Sequence, residues 1–390
     1  MRFLLLLALI FASCAPLRPL GPHSETVPPA PTPAPTPAPS PTPTPEPQAL
    51  VHIINVGVGF EKEAAVIECP EKKWEFKAGA SVGSDSSRIE IETNGDCKYS
   101  GKIYRGKWAV LSTDSGIVVI NVVHIEDYLK GVVPHEIGRL KRDEIEALKA
   151  QAVAARTYAY SHLGSRKSQG FDVYADVRDQ VYNGKAEEDS IANEAIMATS
   201  GLVIKYDGKL IEAYYHSTCG GRTESSEVWG QEGKPYLQPI SDSAAGKAFC
   251  ELSRMMKWGD TFSRTELVTL FQKNAEAARA DKIFPFNKIN QILVTEKFPG
   301  GRVKRLVVFT DQGSFEVFGD RARWLFAREG KILPGSFFTL AQNGDTFTIT
   351  GSGYGHGIGM CQVGTRARAK AGQNFEEILK AYYTGVSIEK

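Results

Sequence analysis

The stretch from Val132 to Tyr160, around which the rest of the chain is organised, reads VVPHEIGRLKRDEIEALKAQAVAARTYAY. Ile145, Leu148, Ala152, Val153 and Arg156 recur there at helical spacing. This predicts a helix over roughly 143–162, with Asp143 and Glu144 near its start, where the helix dipole favours negative charge. The stripe is rich in small residues, so the helix can pack closely, and it carries Arg156 on or near its buried face. Glu136 follows Pro134 and precedes that helix. Proline fixes φ and restricts the residue before it, so Glu136 is expected on a rigid turn. A carboxylate on a turn and an arginine on the next helix make a candidate catalytic pair, Glu136 and Arg156. An acidic residue ahead of a helix is, however, more often a cap.

Elsewhere the period is mostly two. VHIINVGVG, AAVIEC, RIEIET, KIYRGKWAVLS and GIVVINVVHI alternate within residues 50–125 and read as a small, mostly antiparallel sheet. Asp189 to Thr199 places Ile191, Ala192, Ala195 and Ile196 on one helical face, stopped by Gly201. LVIKY and IEAYYHST read as a strand pair around Asp207-Gly208. Residues 255–285 look helical and charged, with the stripe Leu267, Leu270 and Phe271. Strands return over 290–350, interrupted by a short helix at RARWLF, and NFEEILKAYY closes the chain as a helix. The order predicts an α+β fold: two lobes of mixed or antiparallel sheet with packed helices around a central cleft.

The ends of the chain change the picture. MRFLLLLALIFASC has a basic start, a short apolar run and small residues before Cys14. It predicts a signal peptide over 1–14 with a lipobox-like site, cleaved before a lipidated Cys14. Residues 15–49 form a Pro-rich tether. Its VPPAPTPAPTPAPSPTPTPEP stretch is of polyproline type, spanning roughly 60 Å at about 3.1 Å per residue. The folded part is then 50–390, read as a strand-rich 50–125, a core 126–250 and a completing segment 251–390. A formal net charge of +1 over 390 residues argues against nucleic-acid binding driven by counterion release. No window of about 18 apolar residues offers a mature membrane span. The protein is expected to be exported and lipid-anchored in a bacterial cell envelope, at the outer membrane or periplasm of a two-membraned cell.

Export places the cysteines in an oxidising compartment. With Cys14 lipidated, five remain, and Cys219–Cys250 is the expected disulfide, with Cys69–Cys97 a second candidate. Zinc is the alternative for His216-x-x-Cys219, but a structural site wants four ligands and only His216, Cys219 and Cys250 lie near one another in sequence. His135-Glu136 lacks the second histidine of HExxH, since HEIGR ends in Arg139. No metal and no cofactor are therefore expected. Asp176, Gln180 and Tyr182 fall in a polar, aromatic loop of the kind that suits sugars. His216 and Ser217 are adjacent on a strand and point to opposite faces, which disfavours a serine nucleophile. GSGYGHGIG holds five glycines in nine residues and lacks the Lys-Ser/Thr of a phosphate-binding loop.

YLKGVVPHEI, ALKAQAVAARTYA, DQVYNG, AYYHSTCGGRTE, PYL and GYGHGIGMCQVG occur in this order. Together they resemble the stage II sporulation protein D and amidase-enhancer family, from about residue 50 to the C-terminus. The resemblance implies peptidoglycan remodelling by lytic transglycosylation, with the catalytic glutamate of a Pro-x-Glu motif at Glu136. The next residue, often Met in the family, is Ile137 here. Asp176, Gln180, Tyr182, His216, His356 and Gln362 become candidate substrate-binding residues. Some relatives hold zinc in the segment matching Tyr174–Tyr182, which here has neither Cys nor His. Cys361 stands where the family often has Ser, and is expected to be a lone buried thiol.

The implied reaction needs one carboxyl group. Glu136 would protonate the glycosidic oxygen after N-acetylmuramic acid, then take the proton from that sugar's 6-hydroxyl as it closes a 1,6-anhydro ring. This demands a raised pKa, from apolar neighbours such as Val132, Val133 and Ile137. Expected partners are peptidoglycan glycan strands stripped of stem peptides and an N-acetylmuramoyl-L-alanine amidase. Two other readings stay open: a non-catalytic glycan-binding amidase enhancer, and a hydrolase with Asp176 as second carboxylate.

Overall fold

The computed structural model describes residues 52–78, 88–113 and 115–390. The expected signal peptide, the lipidated Cys14 and the proline tether lie outside the described residues. Leu50–Lys390 is one compact unit. It is an α+β fold, as the alternation of periods predicts, and its described residues form two large hydrophobic cores and a small third cluster around Phe171.

The larger core begins on a five-stranded sheet. Its order is Arg88–Ile91, Lys107–Thr113, Gly116–His124, Ile53–Glu61 and Val173–Tyr174, and only the last pairing is parallel. A second, four-stranded sheet contains Ala64–Glu68 and Cys97–Tyr99, and the Cys69–Cys97 disulfide ties its connections together. Against these lie α1 (Ile125–Ile137), α2 (Ile145–Ser161) and α3 (Ser190–Ala198). Helix α2 is buried along most of its length because alanines let its neighbours approach from several sides. The α3 boundary follows Asp189, whose carboxylate caps the Ile191 and Ala192 amides.

Two expectations are corrected. The Asp207-Gly208 hairpin pairs only Val203–Tyr206 with Lys209–Leu210. Most of IEAYYHST is irregular, and Tyr215–His216 pairs instead, in parallel, with Met360–Cys361. Residues 255–285 are not one helix. Trp258–Ser263 is a strand, and α4 covers only Arg264–Asn274, started by a Ser263/Glu266 capping box. High charge masked the strand, whose alternation is weak.

The second core is an insertion. The chain enters it on Trp258–Ser263 and leaves on Thr346–Gly351, and these strands pair antiparallel from Trp258–Gly351 to Ser263–Thr346. Between them lie α4, the strands Ile289–Lys297, Val303–Thr310 and Ser314–Phe318, the short α5 (Ala322–Leu325) and the strand Phe338–Asn343. Buried phenylalanines, including Phe262, Phe271, Phe315, Phe326, Phe338 and Phe347, fill this core. Buried polar groups fasten it to the first. The Gly300 and Arg302 amides donate to Glu224, and the Arg302 guanidinium donates to the Cys219 and Arg222 carbonyls. The chain then completes the first core with α6 (Gln362–Lys370) and α7 (Phe375–Tyr382), which buries Ile378, Leu379 and Tyr382.

Candidate active site around Glu136

Glu136 does not sit on a turn ahead of a helix. It lies in the last turn of α1, and Pro134 is inside that helix. An interior proline costs about 3 kcal/mol or more. Here Tyr128, Leu129, Val132, Val133 and Ile137 bury one face of α1, and that burial outweighs the penalty. Gly138 (φ 89°) ends the helix one residue after Ile137.

A close backbone approach supplies the first partner of Glu136. A Cβ on Gly131 would meet the Gly184 carbonyl at 2.6 Å and the Tyr182 ring at 2.7 Å. Only glycine lets the 180–184 segment lie this near α1. The Val181 amide then donates to Glu136 Oε1 at 3.1 Å. The second partner comes from far along the chain: Gln362, the first residue of α6, donates Nε2 to Glu136 Oε2 at 3.3 Å. Burial raises the Glu136 pKa, opposed by these two neutral donors. Tyr128 and Tyr215 lie close enough that a charge on Glu136 pushes their hydroxyl pKa values further up, on top of burial. The outcome is a recessed carboxyl with an elevated affinity for its proton.

The other candidate residues occupy different places. Arg156 is fully buried, with Nε and one terminal nitrogen on the two Glu126 oxygens at 2.8 and 2.7 Å and further bonds to the Leu202 and Ile196 carbonyls. It joins α1, α2 and α3, which corrects the expectation that it serves the reacting sugar. Gln180 is buried beneath the site. It accepts from Tyr128 Oη and donates to the Ala155 carbonyl and Tyr215 Oη, so its amide aligns two tyrosines near Glu136. Tyr182 is buried, with its hydroxyl on Asn121 Oδ1. Asp176 is half-exposed and pairs with Arg178 at 2.6 Å, which holds its pKa below the usual range. The loop that suited sugar binding is thus strongly bonded to its own fold.

His356 and His216 pin the glycine-rich segment. His356 Nε2 lies 3.0 Å from the Tyr215 carbonyl, and its Nδ1 accepts from the Ile358 amide at 3.1 Å. That fixes the tautomer, and burial pushes its pKa down to about 4. His216 is buried as well, with Nδ1 3.1 Å from the Ile358 carbonyl and its pKa driven well down by desolvation. Both are neutral supports for the segment that leads to Gln362.

The expected Cys219–Cys250 disulfide is absent. Both are free, buried thiols with sulfurs 3.5 Å apart, and Cys361 and Asp242 lie beside them. Cys361 is a free, buried thiol as expected, but it is not alone. The parallel pairing of His216 with Cys361 brought it there, and sequence distance had hidden it.

The profile of the Stage II sporulation protein family matches residues 113–206, which contain α1, α2, Glu136 and Val181. Stage II sporulation protein D of Bacillus amyloliquefaciens is 31% identical over 69% of this chain and 75% of its own length. The chain belongs to the stage II sporulation protein D family. Its namesake from Bacillus subtilis (strain 168) is 29% identical over 80% of this chain and 88% of that protein. The amidase enhancer of the same organism is 32% identical over 67% of this chain, which spans only 40% of that longer protein. A second profile, described as a domain of unknown function, matches residues 247–359 and so covers the inserted core. Within the stage II sporulation protein D family match, Glu136 was legible from its motif. Val181, Tyr128 and Tyr215 were not singled out. Val181 acts through its backbone, which no side-chain pattern reveals, while Tyr215 lies inside the AYYHSTCGG motif.

Proposed function

We propose that this protein is a lytic transglycosylase that cleaves the glycan backbone of peptidoglycan, with Glu136 as its single acid and base. Family membership supports a cell-wall role. The observation that carries the finer reading is the state of Glu136: a recessed carboxyl with a raised pKa, held by two neutral donors.

The Val181 amide can only donate, so it fixes Oε1 as the acceptor oxygen and leaves the acid proton on Oε2. Gln362 faces Oε2 with an amide that both donates and accepts. Turned one way it accepts from the protonated acid; turned the other it donates to the carboxylate. Glu136 gives its proton to the glycosidic oxygen as the bond to C1 breaks. The carboxylate left behind faces the positive charge developing on the sugar, then takes the proton of the 6-hydroxyl as that oxygen attacks C1. The nucleophile belongs to the substrate, so its effective concentration can reach on the order of 10⁵ M, and neither water nor a second carboxylate is needed. Asp176 is held ionised by Arg178, which suits neither a shared proton nor an acid.

We also propose export and lipid anchoring at Cys14, with the proline stretch as spacer and an amidase acting upstream on the same strands. The test of function is the mass of products from purified glycan strands, with and without stem peptides. Products one water lighter than hydrolytic ends, from stripped strands, support the reading. Reducing ends would mean hydrolysis. Binding without cleavage would favour a non-catalytic amidase enhancer.

A further inference from the structure

We propose that Cys219, Asp242, Cys250 and Cys361 bind a structural zinc ion. One donor atom from each lies within 4.8 Å of all the others, and all four side chains are fully buried. Cys219 Sγ is 3.5 Å from Cys250 Sγ and 3.2 Å from Asp242 Oδ2. With Zn–S near 2.3 Å and Zn–O near 2.1 Å, the edges of a tetrahedron come to about 3.6–3.8 Å. The donors are therefore grouped on the scale of one four-coordinate ion, and small side-chain rotations complete the figure.

The surroundings are those of thiolates. The Cys219 amide donates to Cys361 Sγ at 3.2 Å, the Gly364 amide to the same sulfur at 3.3 Å, and the Gly221 amide to Cys219 Sγ at 3.3 Å. Gly220 and Gly221 both adopt positive φ, 77° and 92°, which turns the chain back over the sulfur of Cys219. Asp242 has an outer shell of its own. Arg368 reaches Oδ1 through Nε at 3.1 Å and a terminal nitrogen at 3.0 Å, and the Tyr382 hydroxyl lies 3.0 Å from both oxygens. Such partners orient a ligating carboxylate.

The charges fit too. Binding releases the thiol protons to solvent. Three thiolates and a carboxylate around a dication leave two negative charges. Two buried arginines adjoin them: Arg368 on Asp242, and Arg302 on the Cys219 carbonyl. A fully enclosed site with four protein ligands has no open position, so its role is structural. A lone Cys219–Cys250 disulfide would use two of the donors and leave Cys361 and Asp242 buried beside it without an ion.

Cys219, Asp242 and Cys250 precede the inserted core and Cys361 follows it, so the ion would clamp the insertion at its base. Cys361 also adjoins Gln362, the partner of Glu136.

The test uses the purified full chain and does not read glycan cleavage, so it stands apart from the proposed activity. Metal content, and alkylation of Cys219, Cys250 and Cys361 followed by peptide mass mapping, are measured together. About one zinc per chain is expected, with all three cysteines alkylated only after denaturation and chelation. Chelated wild type titrated with cobalt(II) should develop the visible bands of a tetrahedral thiolate site. Cys250→Ser should lose them, and the wild-type titration decides the question independently of how that variant folds. A Cys219–Cys250 disulfide peptide without metal would overturn the proposal. So would three free thiols that take up no cobalt.

Discussion

Helix α6 begins between two carboxyl groups, one recessed and one fully buried. Its first residue, Gln362, touches Glu136; the residue before it, Cys361, lies in the cluster with Asp242. Burial raises the pKa of both, but they are answered differently. Two neutral donors meet Glu136. A guanidinium, a tyrosine hydroxyl and a thiol meet Asp242. The first arrangement tolerates loss and gain of a proton, since nothing on its donors depends on a fixed charge. The second leaves an arginine stranded if the carboxylate is lost. One fold thus holds two carboxyl groups in opposite settings on either side of the start of α6, one met by neutral donors and the other by an arginine.

That contrast can be broken most sharply at Glu136. Glu136→Gln keeps the shape and the Val181 bond but removes the acid proton. Glycan cleavage should fall by on the order of 10²–10⁴-fold, measured by product formation from stripped strands, with the circular dichroism spectrum unchanged. Asp242→Asn should do the reverse. It should lower stability by about 3–5 kcal/mol in denaturant unfolding, because Arg368 is left buried without its anion. Arg156 belongs with Asp242 in this respect. Arg156→Met should cost up to about 3 kcal/mol of stability yet leave the cleavage rate of the folded fraction within about twofold. A large rate loss at unchanged stability would return Arg156 to the substrate. Gln362→Ala removes one neutral hydrogen bond worth about 1 kcal/mol, so the rate should fall roughly tenfold or less, with its pH profile displaced.

Much of this was readable from sequence, and the failures have physical causes. Period-two and period-3.6 patterns located α2, α3, α7 and most strands, and a motif located Glu136. The proline at Pro134 was read as a breaker because local propensity cannot see that burial of Val132, Val133 and Ile137 holds the helix together around it. Arg156 was assigned to chemistry because its partner, Glu126, lies on another helix and no spacing rule connects them. Cys69 and Cys97 form the expected disulfide, but the expected Cys219–Cys250 bond does not form, and the parallel pairing of Tyr215–His216 with Met360–Cys361 brings a third sulfur beside them. Gln362 was named from resemblance, but its hydrogen bond to Glu136 needed the fold.

The proposed chemistry requires Glu136 to hold a proton where an ordinary glutamate would not. A carboxyl whose folded pKa lies above its unfolded value of 4.5 destabilises the protein as pH rises through the folded value, and this penalty vanishes below the unfolded one. Glu136→Gln should therefore be more stable than wild type at neutral pH, with the gap closing in acid. The most direct measurement is the carbon-13 titration of the Glu136 side-chain carboxyl in the intact protein, assigned by its loss in Glu136→Gln. A midpoint clearly above the ordinary glutamate range is the predicted result. A midpoint at or below that range would mean the carboxyl is ionised at rest, and would contradict its role as the acid.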